Sequence, residues 1–374
     1  MHSEFLSNEE IVQQARKNLV QGAWDYLVGG SESETTMRRN RLAFDKIAFR
    51  PRVLVNVSKT DPSTTILNEK LRIPILLAPI GSLQTFTEKG GAEATKSAAD
   101  FGIVHVVSSV TEPSLEEIAA VSNNPKIYQL YIHGDWNWTK EMIHRAKSAG
   151  YKALCITVDT ANYSRRERPM LNDYIPFSQS SSAASKSKAN QFGEIDLKLK
   201  EISMASVTWD SIDKIKKEWG NPLLLKGIAT KEDARIAIEH GIECIWVSNH
   251  GGRQLDHGQG SMEMLPEIVN VVNGKSEIIV DGGVLRGSDV LKAIAMGANA
   301  VAIGKMQGWG LAAGGSDALT RSLEILEEEI KIAMGLLGTP NITDISSNHI
   351  CYADTVNSPH EMNAWTNMPG GQIF

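Results

Sequence analysis

From Pro74 onward the chain alternates short apolar runs with polar or glycine-containing turns and stretches of helical spacing. The runs are Ile75 to Pro79, Ile103 to Val107, Ile127 to Tyr131, Ala153 to Val158, Leu223 to Lys226, Cys244 to Ser248, Ile278 to Asp281 and Ala300 to Gly304, eight in all. Helical periodicity follows in Gly91 to Phe101, Leu115 to Val121, Lys140 to Ala149, Trp209 to Trp219, Lys231 to Glu239, Glu263 to Val272, Ser288 to Met296 and Ala318 to Leu337. A near-continuous apolar strand needs cover on both faces, which a parallel sheet receives from its crossover helices. Eight such units closed on themselves predict an α/β fold, the TIM (β/α)8 barrel. An open doubly wound sheet is the competing arrangement. It would carry G-x-G-x-x-G after its first strand, where this chain has Pro79-Ile80-Gly81-Ser82.

Residues 1–73 read as an extension of the same domain. Apolar positions Ile11, Ala15, Leu19, Val20, Ala23, Tyr26 and Leu27 predict helix from Asn8 to about Val28, stopped by Gly29-Gly30. A basic, Phe-containing segment, Arg38 to Arg52, leads to a small hairpin over Thr65 to Asn68 and Leu71 to Ile73. The barrel then occupies residues 74–374, with a C-terminal tail from about 355. The polar segment from Ser178 to Ser206, opening on a serine-rich run, interrupts the rhythm after the fourth strand. On that side of a barrel strand it is expected to be a structureless lid over the site.

Composition narrows the function classes. The 38 Lys and Arg against 44 Asp and Glu give a net charge of −6, which argues against a nucleic-acid partner. Cys155, Cys244 and Cys351 lie far apart, so neither a disulfide framework nor a metal-ligand spacing is present. No apolar run approaches the roughly 18 residues of a membrane span, and the N-terminus has no signal-peptide pattern. The expectation is a cytoplasmic, soluble protein without metal.

The chemistry gathers where the strands end. In Ser248-Asn249-His250-Gly251-Gly252-Arg253-Gln254-Leu255-Asp256 a histidine and an arginine three residues apart straddle two glycines. They can take a proton and grip a carboxylate or phosphate together. A turn with a satisfied histidine and a solvated arginine is the alternative. The other ends are polar too: Pro79-Ile80-Gly81, Ser108, Gln129 with Tyr131, Thr157 and Asp159 before Arg166, Lys226, Asp281-Gly282-Gly283, and Gly304-Lys305. So many polar groups converging on one axis imply a ligand that satisfies them. Glycines after the seventh and eighth strands let backbone N–H groups approach a phosphate, so a phosphate-bearing cofactor leads.

With Gln129-Leu130-Tyr131, Thr157-Val158-Asp159-Thr160 and Asp281-Gly282-Gly283 in the same order, the His250 stretch resembles the FMN-dependent 2-hydroxy acid oxidase and dehydrogenase family from about Asp25 to Leu337. The resemblance implies FMN as cofactor and an L-2-hydroxy acid as substrate, with oxygen or another electron acceptor. It implies His250 as base paired with Asp159, Arg166 and Arg253 on the substrate carboxylate, and Tyr26 and Tyr131 hydrogen-bonding the substrate. For the flavin it implies Pro79, Ile80, Gly81, Ser108, Gln129, Thr157 and Lys226, and the strand ends Ser248, Asp281, Gly282, Gly283 and Gly304 complete the set. A homo-oligomer, a tetramer, comes with the family.

Two departures fall on the phosphate grip. Leu285 stands where the family has Arg, with Arg286 one residue later, and Lys305 stands where it has Arg after Gly304. Arg286 and Lys305 are therefore expected to hold the phosphate jointly, with Lys305 a point charge where a fork is usual. The resemblance further implies that Val110, where a glycolate-oxidising member has tryptophan, leaves room for a substrate larger than glycolate, and that Gly81, where simple oxidases of the family have alanine, disfavours efficient peroxide release. Two other functions compete: a flavin-dependent isomerase of the isopentenyl-diphosphate type, which has no use for Arg166 and Arg253, and a non-catalytic barrel with a degraded phosphate site.

Overall fold

The computed structural model describes residues 5–175, 197–356, 362, 364 and 365. Eight parallel strands close into a barrel: β1 (Ile75–Leu77), β2 (His105–Ser108), β3 (Lys126–Leu130), β4 (Ala153–Thr157), β5 (Leu223–Ile228), β6 (Cys244–Val247), β7 (Glu277–Asp281) and β8 (Ala300–Ile303). β8 pairs with β1 through Val301↔Ile75 to Ile303↔Leu77, which leaves the barrel sheet no edge. Every strand falls within two residues of its apolar run. The cause is burial on both faces: β2, β3, β4, β6 and β8 are buried at every position.

The helices follow the same logic. Gly91–Phe101, Trp209–Trp219 and Lys231–Glu239 have the expected bounds. Trp136–Ser148 starts earlier than its apolar pattern because Asp135 caps it, accepting the Trp138 N–H. The last helical stretch runs Lys305–Leu337 and is interrupted at Gly314 and Gly315, where a Cβ on Gly315 would lie 2.5 Å from a Glu93 carboxylate oxygen.

The N-terminal extension differs from its reading in two ways. The first helical stretch is two helices, Asn8–Asn18 and Gln21–Val28, because Leu19 and Val20 are extended between them. A third helix, Thr35–Asp45, lies partly within the basic segment that carried no helix assignment. The hairpin forms from Thr64–Ile66 and Glu69–Leu71, with Leu67 and Asn68 both at positive φ, as a tight two-residue turn requires. Ile47–Phe49 pairs antiparallel with the distant Ile350–Tyr352.

The expectation of a structureless segment from 178 to 206 is corrected at its end, where helix Leu197–Ala205 packs Ser203 and Met204 inward. Residues 178–196, and with them most of the lid reading, lie outside the described residues, as does most of the tail beyond 356. Among the described residues, no helix is long and apolar enough to cross a membrane.

Candidate active site

The C-terminal ends of the strands open into one cleft. Its wall contains Tyr26, Pro79, Ile80, Gly81, Tyr131, Arg166, Lys226, His250, Arg253, Asp281, Gly282, Gly283, Gly304 and Lys305, fourteen of the residues expected from sequence. Residues from seven strand ends and from the N-terminal extension thus meet at one place.

His250 sits at φ 60°, a left-handed conformation uncommon for a residue with a Cβ. Two contacts hold it there. Its N–H donates to Ser248 Oγ at 3.0 Å, and its Nδ1 lies 3.0 and 3.2 Å from the two Asp159 carboxylate oxygens. With Nδ1 committed to Asp159, Nε2 faces the cleft, 3.5 Å from Tyr131 Oη. Burial pushes the imidazole below its ordinary pKa, Asp159 opposes this, and Lys226 and Arg166 add to the depression. Burial works to raise the Asp159 carboxyl, but His250 and Lys226 outweigh it and hold the group below the usual carboxylate range. The result is a neutral base beside an ionised carboxylate. Burial raises the Tyr131 phenol well above its ordinary value, so it remains a donor.

Ser248 is a strut beside the wall. Its hydroxyl accepts from Lys226 Nζ at 3.1 Å and donates to Asp281 Oδ1 at 2.7 Å, while Trp246 Nε1 donates to the other Asp281 oxygen at 3.0 Å. Lys226 Nζ itself lies 3.4 Å from Asp281 Oδ2. Burial works to lower the pKa of this ammonium, but Asp281 and Asp159 outweigh it, raise the pKa above the ordinary value and keep the group charged.

Helix Gln21–Val28 brings the substrate-side groups in. Arg253 donates to the Gly29 carbonyl at 2.6 Å and lies 5.1 Å over the Tyr26 ring, and Tyr26 Oη reaches the Gly81 carbonyl at 3.5 Å. Arg166 Nε donates to the Arg253 carbonyl at 3.2 Å. Burial and the charge of Arg166 pull Arg253 down to about 10, so it is still a cation at neutral pH. Two neighbouring guanidiniums under mutual repulsion make a site that an anion relieves.

The deep end fits a flavin. Gln129 is fully buried, and neither its amide oxygen nor its amide nitrogen has a hydrogen-bond partner among the described residues. Thr157 Oγ1 is likewise unpartnered, though Thr157 lines an adjoining cavity. Buried amide groups of this kind are costly unless a ligand pairs with them, and a flavin ring edge carries matching donors and acceptors. At the phosphate end, a Cβ on Gly304 would meet nothing within 4 Å, so its backbone is approachable from the cleft. Gly282 is at φ 94°, and a Cβ there would come within 2.7 Å of Ser261 Oγ, so only glycine fits.

Not every expected residue reaches the cleft. Arg286 is placed elsewhere: it precedes helix Gly287–Ala295, and its guanidinium pairs with Glu329 Oε1 at 2.9 Å. Its side chain is thereby taken up by the last helix, and it does not line the cleft beside Lys305. Lys305 does line the cleft, its Nζ donating to the Val28 carbonyl at 2.6 Å and lying 2.8 Å from Met37 Sδ. Leu285, buried, adds an apolar wall. Asp159, Ser108, Gln129, Thr157 and Ser248 stand behind or beside the cleft wall.

Sequence reading missed Asn40, Arg41, Phe86 and Tyr163, all on the wall. Arg41 donates to the Gly283 carbonyl at 2.8 Å and grips Asp289 at 2.7 and 3.0 Å from 248 residues away. Asn40 and Asn249 exchange amide hydrogen bonds at 2.9 and 2.7 Å, tying helix Thr35–Asp45 to the His250 loop. No local pattern announces contacts this distant. Among the described residues, no cluster of His, Cys, Asp or Glu could hold a metal.

A family model described as FMN-dependent dehydrogenase matches residues 15–352. An L-lactate oxidase of Nostoc sp. is 38% identical, over 91% of this chain and 96% of its own. The glycolate oxidase of Spinacia oleracea is 35% identical, over 90% of this chain and 93% of its own. Among solved structures, a mandelate oxidase superposes with a TM-score of 0.84 at 35% identity, covering 91% of this chain and 97% of that one. Family match, barrel and flavin-compatible cleft agree: the chain belongs to the FMN-dependent dehydrogenase family and is an FMN-dependent oxidoreductase of the group that oxidises 2-hydroxy acids.

Proposed function

We propose that the protein oxidises an L-2-hydroxy acid to the 2-oxo acid, with His250 as the base and Arg166 and Arg253 as the carboxylate binders. FMN supplies the two-electron acceptor when bound. The observation that carries this reading is the neutral His250, its Nδ1 held by Asp159 and its Nε2 turned to a cleft that also holds the two guanidiniums. Arg166 and Arg253 fix the carboxylate, Tyr26 and Tyr131 orient the 2-substituents, and such fixing is a large part of catalysis. His250 Nε2 takes the proton, and Asp159 stabilises the imidazolium that results.

Lys226, Ser108, Gln129 and Thr157 face the polar ring edge in this reading, with Pro79, Ile80 and Gly81 packing beside it. The buried Lys226 ammonium favours negative charge on that edge. Lys305 and the amides near Gly282, Gly283 and Gly304 hold the phosphate, and Arg41 braces Gly283 from behind. Val110 on the wall leaves space for a substituent larger than that of glycolate. An isomerase reading has no use for the paired guanidiniums. We also propose a cytoplasmic homotetramer, for which the exposed Val53 and Leu54 offer contact surface; gel filtration checks the assembly.

The test is anaerobic mixing of the FMN-loaded protein with a panel of 2-hydroxy acids. Bleaching of the flavin by L-enantiomers is expected. Failure of every member of the panel to bleach it refutes the reading. Running the panel with oxygen and with an artificial acceptor side by side identifies the oxidant.

A further inference from the structure

Between the end of β4 at Thr157 and helix Glu167–Leu171 the chain has no regular structure, and this stretch carries Asp159 to His250 and Arg166 to the cleft wall. Gln254, four residues beyond His250, staples it. The Gln254 Nε2 donates to the Asp159 carbonyl at 3.1 Å and to the Asn162 carbonyl at 2.9 Å, and its Oε1 accepts from Arg166 Nη2 at 3.2 Å. Gln254 is buried, and it is not among the described residues of the cleft wall. It therefore acts on the site through other side chains.

These three bonds call for an amide. Turned over, the group would point its N–H donors at a guanidinium and its oxygen at two carbonyls. Its neutrality matters as much as its shape. Among the described residues, every acceptor of the Arg166 guanidinium is uncharged: Ser164 Oγ at 3.4 Å, the Arg253 carbonyl at 3.2 Å and Gln254 Oε1. Arg168, two residues on, is instead gripped by the Glu34 carboxylate. A guanidinium already answered by a carboxylate has less attraction left for an anionic ligand, whereas an amide oxygen fixes its direction and leaves the charge available. Burial, and then the charge of Arg166, lowers Arg253. The two cations therefore repel, and a tether on Arg166 resists their separation.

Resting on the reading that Arg166 holds the substrate carboxylate, we infer that Gln254 is a positioning residue for that contact: its neutral amide fixes the Arg166 guanidinium at the cleft without neutralising it, and ties that placement to the backbone of Asp159. One side chain thus keeps the carboxylate grip in register with the partner of the base.

The test is calorimetric titration of the FMN-loaded protein with 2-oxopropanoate and with its uncharged amide, 2-oxopropanamide, in wild type, Gln254→Glu, Gln254→Met and Arg166→Met. The readout is the ratio of the two affinities, which a general loosening of the loop leaves unchanged because both ligands weaken together. Gln254→Glu, nearly the same in shape, sets a carboxylate on Arg166 and is expected to lower the ratio by about tenfold or more. Gln254→Met removes the tether without adding charge and is expected to lower it about threefold, and it carries the test if Gln254→Glu does not fold. A ratio within about 1.5-fold of wild type in the Gln254 variants, with a fall in Arg166→Met, overturns the proposal. An unchanged ratio in Arg166→Met overturns the reading of the carboxylate site, and the proposal with it.

Discussion

His250 Nδ1 lies 3.0 Å from Asp159 Oδ1, joining the end of β6 to the end of β4 across 91 residues of chain. Gly227 makes room for the pair: it is at φ 111°, and a Cβ there would come within 2.7 Å of the Asp159 side chain. The dyad is thus built by the barrel, with the intervening strand supplying the missing side chain.

If His250 acts on the chemical step, His250→Ala keeps its FMN and loses flavin reduction by substrate by about 10²- to 10⁴-fold. Rapid mixing under anaerobic conditions measures it. Near-normal reduction in the variant would remove His250 from the role of base.

The pH profile follows from the depressed His250 pKa. The base works unprotonated, so the acid limb of flavin reduction falls below the ordinary histidine range, and the rate is flat from there through neutrality. Asp159 is the partner that raises the histidine, so Asp159→Asn moves the limb to still lower pH. It also lowers the plateau by on the order of 10²-fold, because the imidazolium formed in the reaction loses its counter-charge. A limb that moves upward contradicts the assignment.

At the phosphate end the two basic residues separate cleanly. Lys305→Ala weakens FMN retention tenfold or more, about 1.4 kcal/mol or above, since a phosphate there loses a counter-charge. Arg286→Ala, already paired with Glu329, leaves retention within about threefold of wild type. Fluorescence titration of FMN into the apoproteins gives both numbers, and a larger loss for Arg286→Ala would reverse the assignment.

Helix Thr35–Asp45 is anchored by the buried Arg41–Asp289 pair, whose side chains are 5% and 1% exposed. Removing one partner leaves an uncompensated charge, so Arg41→Ala destabilises the fold by about 3–5 kcal/mol. Burial works to raise the Asp289 carboxyl, but Arg41 dominates and lowers it. The stabilisation is therefore present above the ordinary carboxylate pKa and is lost as pH falls through the depressed one. Urea melts at neutral and acid pH test both statements; a change under about 1 kcal/mol at neutral pH would show that the pair is replaceable.

Val110→Trp narrows the cleft wall. The ratio of turnover on glycolate to turnover on a larger 2-hydroxy acid should rise about tenfold or more. An unchanged ratio places the substituent away from Val110.

The sequence by itself determined the barrel, because strands buried on both faces must be written as continuous apolar runs and helices at their own period. It also located the polar strand ends, since Gln129, Lys226, His250 and Asp281 interrupt or terminate those runs where packing alone would call for apolar residues. Tertiary structure decided what those residues touch. Arg41 could find Asp289 and Gly283 only once helix Thr35–Asp45 had been laid across the barrel mouth, and nothing within a local window encodes a contact spanning 248 residues. Arg286 shows the same limit from the other side: one position along the chain from the expected arginine, its side chain meets Glu329 and not the cleft. Neighbouring positions at the start of a helix project in different directions, so a shift of one residue exchanges the cleft for the last helix.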